Sequence, residues 1–137
     1  MTYLLDINVL SETRKRQPAV GVMSWIAATP PEWLHVSVLT LGEVEQGVTR
    51  IRGRGDHEQA AALERWLREV ELGFADRILP VTLSVASAWG RQQHGQSCPV
   101  IDALIAATAT VNGLTVVTRN AKDFERSGVQ VLNPFEN

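Results

Sequence analysis

Four carboxylates in this chain stand where a charge is ordinarily a liability: Asp6, Glu43, Asp102 and Asp123. Asp6 follows Tyr3-Leu4-Leu5 and precedes Ile7, and Glu43 lies just past Val36-Ser37-Val38-Leu39. Asp102 sits between Val100-Ile101 and Ala103-Leu104-Ile105, and Asp123 comes shortly after Leu114-Thr115-Val116-Val117. Burying one carboxylate costs free energy, and gathering several costs more unless protons or cations neutralise them. At about 4 Å and an effective dielectric near 20, each like-charged pair repels by roughly 4 kcal/mol. A divalent-cation site assembled from residues far apart in sequence accounts for all four. Oxygen-only donors suit Mg2+ or Mn2+, whereas zinc would recruit His or Cys. His35, His57 and His94 are scattered, and Cys98 stands alone. Ser11, Ser37 and Ser84 lack a matching His-Asp arrangement, and the chain has no Gly-rich phosphate loop. The chemistry left is metal-assisted hydrolysis, in which the cation lowers the pKa of water and stabilises charge on phosphate oxygens.

Each acid also has a plainer role open to it. Asp6 can cap a short helix, with Asn8 either sharing that turn or supporting a metal ligand from behind. Thr40-Leu41-Gly42-Glu43 has the spacing of a capping box, in which Glu43 would bond back to the Thr40 backbone. If Ser37 is the cap instead, Glu43 falls in the second turn and is free to face the sheet edge. Asp102 gains from the helix dipole in a first turn. Its helix is nearly apolar all round, however, and a buried carboxylate without a partner is rare. Thr118-Arg119-Asn120-Ala121-Lys122-Asp123-Phe124 gathers a hydroxyl, an amide and a carboxylate behind a strand. There Asp123 can cap or begin a short helix, Thr118 and Asn120 can align water or phosphate oxygens, and Arg119 or Lys122 can meet a substrate backbone.

The elements that must position these residues alternate. Tyr3-Leu4-Leu5 reads as a first strand, Pro18 to Ala28 as a helix, and Leu34 to Val38 as a second strand leading into a helix up to about Arg50. Arg52 to Asp56 reads as a loop. Leu63, Trp66, Leu67, Val70 and Phe74 recur at helical spacing through Glu58–Phe74. Ile78-Leu79-Pro80-Val81 is a short strand, and Thr82 or Ser84 caps the next helix. Gly95-Gln96-Ser97-Cys98 turns the chain into a helix from Pro99 towards Val111, stopped by Asn112-Gly113. Leu114 to Val117 and Val129 to Leu132 complete the strands. Strands separated by helices predict an α/β fold, a central mostly parallel sheet flanked by helices, whose ligands gather beyond the carboxyl ends of the strands.

The bulk properties fit one domain over residues 1–137, with 45% apolar and 20% charged residues. A single cysteine forms no internal disulfide. Met1-Thr2-Tyr3-Leu4 runs straight into a core strand and no 18-residue apolar stretch occurs, so neither signal peptide nor membrane span is expected and cytoplasmic residence is the default. The formal charge of −2 argues against strong duplex binding by net charge alone. Setting the four acids aside leaves thirteen bases against eleven acids, so the remaining surface need not repel a phosphate backbone. Basic residues cluster as Arg14-Lys15-Arg16, as Arg50, Arg52 and Arg54, and as Arg119 with Lys122. Each cluster also reads as a solvated helix end or loop.

The motifs together resemble a PIN domain, and within that group a VapC-type ribonuclease toxin of the FitB-like subgroup. The likeness rests on Leu5-Asp6-Ile7-Asn8-Val9-Leu10, on Ser37-Val38-Leu39-Thr40-Leu41-Gly42-Glu43 with Gly47, on Asp102-Ala103-Leu104-Ile105-Ala106-Ala107-Thr108-Ala109, and on Thr118 to Phe124. Each is short; their order within this length is specific. The resemblance implies a three-layer fold in which Asp6, Glu43, Asp102 and Asp123 gather around one or two Mg2+ or Mn2+ ions. Those ions would activate water against an RNA phosphodiester, with Asn8, Thr118 and Asn120 in support. It also implies a homodimer and a cognate antitoxin, itself carrying a DNA-binding domain, within a larger toxin–antitoxin complex. Asn120 stands where many of the wider group place an acid, which leaves a second metal position open. Trp66 and Phe74 would serve dimerisation or core packing.

Three other functions compete. A catalytically silent PIN-like module would use the acids for protein docking. A nuclease of the same fold would act on DNA. Asp6-Ile7-Asn8 is also weakly similar to the opening loop of haloacid-dehalogenase-like phosphatases, in which Asp6 would accept the phosphoryl group, but the second carboxylate of that loop is missing.

Overall fold

The computed structural model describes residues 1–92 and 98–136. Among them, five strands form one sheet in the order β3-β2-β1-β4-β5, every neighbouring pair parallel. The strands are β1 (Tyr3–Leu5), β2 (Leu34–Ser37), β3 (Ile78–Leu79), β4 (Thr115–Val117) and β5 (Val131–Leu132). The helices are α1 (Ile7–Leu10), α2 (Val20–Ala28), α3 (Val38–Gly53), α4 (His57–Gly73), α5 (Leu83–Arg91), α6 (Val100–Asn112) and α7 (Ala121–Glu125). The expected α/β architecture is therefore present, with a sheet that is parallel throughout the described residues.

Period-two alternation in β1 divides the core. Tyr3 and Leu5 face a cluster with Val36, Val48, Leu63 and Leu67, drawn from β2, α3 and α4. Leu4 faces the other way, against Ile105, Ala106, Ala109, Val116 and Phe124 from α6, β4 and α7. Helices thus cover both faces, which is why the central strand reads as an unbroken apolar run. The alanines of α6 let it lie close to the sheet: Ala103, Ala106, Ala107 and Ala109 are all buried. Gly113 closes α6 at φ +67°, a left-handed conformation that a side chain resists.

Boundaries differ from the sequence reading for local reasons. The first long helix starts at Val20 rather than at Pro18, because the Ala19 N–H is taken by the buried carboxylate of Glu12 at 2.8 Å. Val38 leaves β2 and opens α3, because the Ser37 hydroxyl accepts from the Leu39 N–H at 3.0 Å and caps the helix. That settles the two caps in favour of Ser37. Ser37→Ala is expected to cost about 1 kcal/mol, read as a lower urea midpoint; an unchanged midpoint would contradict the capping role. Helix α3 runs past Arg50 to Gly53, so the loop to α4 shrinks to Arg54–Asp56. Thr82, not Ser84, caps α5 by accepting from the Val85 N–H. Pro80, Val81, Leu114, Val129 and Gln130 fall outside the strands. The expected turn at Gly95-Gln96-Ser97 and His94 lie outside the described residues.

Arg77 clasps the far edge of the sheet. Its guanidinium donates to the carbonyls of Pro31, Leu34 and Gly73 at 2.6, 2.8 and 2.6 Å and lies over the Phe74 ring. Trp66 and Phe74 pack partly buried against the first core cluster, and Trp66 Nε1 donates to Thr13 Oγ1. No helix among the described residues is long and apolar enough to cross a membrane.

Candidate active site

Because all five strands are parallel, their carboxyl ends share one rim. The chain leaves β1 for β2 and β3 on one side and returns to β4 and β5 on the other, so the strand order reverses between β1 and β4. Ligand crevices in open parallel sheets form at such a reversal. Asp6 and Thr118 are the residues that follow those two strands.

A hydrogen-bond network joins them. The Asp6 carboxylate, 2% exposed, accepts from Thr118 Oγ1 at 2.7 Å, from the Ile7 N–H at 2.9 Å and from Asn8 Nδ2 at 3.2 Å. Thr118 Oγ1 in turn accepts from the Asn120 N–H at 3.0 Å and from Asn8 Nδ2 at 3.3 Å. Asn8 Oδ1 accepts from the Arg119 N–H at 3.0 Å. Asp6 does cap α1, so the plainer role and the site role coexist in one side chain. The hydroxyl of Thr118 and the amide of Asn8 are committed to orienting Asp6. Neither is left over to hold a phosphate oxygen, and Asn120 joins the network through its backbone.

Glu43 projects from the second turn of α3 and Asp102 from the first turn of α6, both half-buried. Asp123 is exposed on α7. Their fields overlap. Burial raises the Glu43 carboxyl above its ordinary pKa, and the charges of Asp6 and Asp102 raise it further. Burial raises Asp102 likewise, followed by Asp6 and Asp123. For Asp6 burial outweighs the lowering by its bonds to Thr118, Ile7 and Asn8. One turn before Glu43 on α3, the fully buried Thr40 hydroxyl has no hydrogen-bond partner.

The acids are thus near enough to oppose one another's ionisation. Among the described residues, however, no group of three or more His, Cys, Asp or Glu side chains is disposed to hold a metal ion. What these residues do form is a set of acids at one rim of the sheet whose charges act on one another. Its donor set still fits a hard divalent cation, because the donors are carboxylate oxygens whose mutual repulsion such an ion relieves.

Glu12 is a buried acid that the sequence reading passed over, although it too follows an apolar run, Val9-Leu10. Its surroundings are different. Lys15 bonds to it, and the Ala19 N–H adds a second bond, so its pKa is lowered. A paired structural acid and a pocket acid differ here in the sign of the shift. Asn133 and Phe135, to which the sequence assigns no role, also stand here. The Phe135 ring lies under the Arg119 guanidinium, 3.9 Å from ring centroid to Cζ, and the Phe135 N–H donates to Asn133 Oδ1 at 2.9 Å.

The family model of the PIN domain matches residues 3–129. The chain is a PIN-domain protein. This PIN domain is 33% identical to the toxin FitB of Neisseria gonorrhoeae, over 96% of its own length and 97% of that protein. It is 31% identical to the VapC ribonuclease Y4jK of Sinorhizobium fredii, over 97% of both. Its fold matches the solved structure of FitAB bound to an IR36 DNA fragment with a TM-score of 0.86 at 31% identity, covering 98% of this chain and 96% of that one. By sequence and by structure the PIN domain is closely related to the VapC- and FitB-like toxins of toxin–antitoxin systems.

Proposed function

We propose that this PIN domain is a metal-dependent endoribonuclease, the toxin of a type II toxin–antitoxin pair, working as one domain over residues 1–137. The observation that carries the reading is the gathering of acids around the strand-order reversal, where Asp6 and Asp102 act on Glu43, and Asp6 and Asp123 act on Asp102. A cluster that opposes its own ionisation is a site waiting for positive charge. Asp6, Glu43, Asp102 and Asp123 are the residues that would hold Mg2+ or Mn2+. Such an ion supplies a water of lowered pKa and neutralises charge building on phosphate oxygens. Thr118 and Asn8 hold the Asp6 carboxylate in one orientation, Asn120 braces Thr118, and Arg119 positions the strand. A relative named as a VapC ribonuclease supports RNA as the substrate. A relative solved in complex on DNA supports a partner antitoxin with a DNA-binding domain, in an assembly that includes a dimer of this chain, in the cytoplasm.

A catalytically silent docking module is the second reading, favoured by the lack of a ready-made metal cage among the described residues. Mapping cleavage ends in total RNA after brief production of the native protein and of Asp102→Asn separates the two. New ends confined to the native protein support the ribonuclease; equal profiles at equal protein levels overturn it and leave the docking module or a nuclease acting on DNA. A DNA strand of the same sequence, offered alongside, tests the choice of nucleic acid.

A further inference from the structure

Arg119 has an unusual setting. Its guanidinium is stacked on the Phe135 ring, yet it donates to no protein acceptor among the described residues. Its backbone is fixed on both sides, the N–H by Asn8 and the carbonyl at 3.5 Å by Asn133. The ring beneath it is held too, because buried Pro134 and half-buried Phe135 belong to a 3-10 turn (Pro134–Glu136) that packs against α2. An arginine so held has lost much of its rotamer freedom before anything binds, while its planar fork of donors stays open. Stacking on an aromatic face adds attraction without consuming a donor.

The Asn8 side chain that accepts the Arg119 N–H also donates to Asp6, so this arginine stands next to the acids. It lines a cleft of about 290 Å³ with Asn120, Lys122, Asn133 and the acids Asp123 and Glu136. Asp123 lines this cleft and also raises the Asp102 carboxyl, so the cleft adjoins the acids. No acid of the cleft forms an ion pair with Arg119 among the described residues.

We propose that Arg119, stacked on Phe135, is a preformed seat for a backbone phosphate of the bound RNA next to the one that is cut. The proposal rests on the nuclease reading and assigns the Pro134–Glu136 turn a part in substrate binding. Arg119→Ala is expected to raise KM for a single-stranded RNA about tenfold, the loss of one charge-assisted phosphate contact, and to move kcat by less than about twofold. Binding of the same oligonucleotide by the uncleaving Asp102→Asn protein should lose about 0.7 from its log–log salt slope when Arg119→Ala is added. Arg119→Lys should restore the slope but not KM, because an ammonium keeps the charge and loses the fork. Phe135→Leu should raise KM with the slope unchanged. A KM and salt slope for Arg119→Ala equal to the native values would overturn the seat while leaving the nuclease intact. Failure of the native protein to cleave or bind RNA would overturn both.

Discussion

Asp102→Asn is expected to reduce RNA cleavage by about a thousandfold or more while raising the thermal midpoint of the protein measured in EDTA. The activity loss follows from removing one donor of a site that stabilises several kcal/mol of transition-state charge, where every 1.36 kcal/mol is tenfold in rate. The gain in stability follows from the direction of the pKa shifts. Burial, Asp6 and Asp123 raise the Asp102 carboxyl in the folded protein above its unfolded value. Between those two values the folded state binds the extra proton, so stability falls as pH rises through that window. Above the folded pKa the whole penalty is present. An uncharged Asn does not incur it, so the midpoint difference between variant and native protein should be largest near neutrality and shrink towards the ordinary carboxylate range. Each kcal/mol recovered corresponds to roughly 4 °C in a domain of this size. Glu43→Gln should behave alike, since Glu43 is raised by burial and by the charges of Asp6 and Asp102. Loss of activity together with loss of midpoint would mean that Asp102 is a structural acid, not a pocket acid.

Thr118→Val tests the support beneath Asp6. Valine keeps the shape of a β-branched residue at the end of β4 and removes only the hydroxyl. That hydroxyl donates to Asp6 Oδ2 and accepts from the Asn8 side chain and the Asn120 N–H, and Thr118 is fully buried. Leaving a buried carboxylate short of a donor and an N–H short of an acceptor should cost about 2–3 kcal/mol, or roughly 10 °C in midpoint. The bond from Thr118 is also the largest influence lowering the Asp6 pKa. Without it the Asp6 carboxyl rises further, so the acidic limb of the pH–rate profile should move to higher pH. A variant with native midpoint and native profile would show that the network carries neither load.

Much of the architecture was legible because it follows from periodicity. The apolar run at β1, the amphipathic spacing of α4 and the alanine-rich α6 each allow few placements, and together they imply a parallel sheet with Asp6 at a strand end. The site was less legible because apolar neighbours in sequence show only that an acid is near the core. Glu12 meets that criterion as well as Glu43 does, yet Lys15 and the Ala19 N–H neutralise it. Ser37 and Thr40 competed as caps, and only the backbone geometry distinguishes them. The stacking of Arg119 on Phe135 joins residues from either side of β5, and no local pattern announces it. How far the acids stand apart depends on side-chain directions at the rim, which the spacing of residues along the chain does not determine.

The most direct test of the shared acidic site is a titration of the purified protein with Mn2+, following free ion by electron paramagnetic resonance. Saturable binding by the native protein is predicted, weakened at least about tenfold by Glu43→Gln and by Asp102→Asn separately, as expected when donors on different helices serve one ion. Native protein that binds no Mn2+, or variants that bind it as the native protein does, would contradict a common site for these acids.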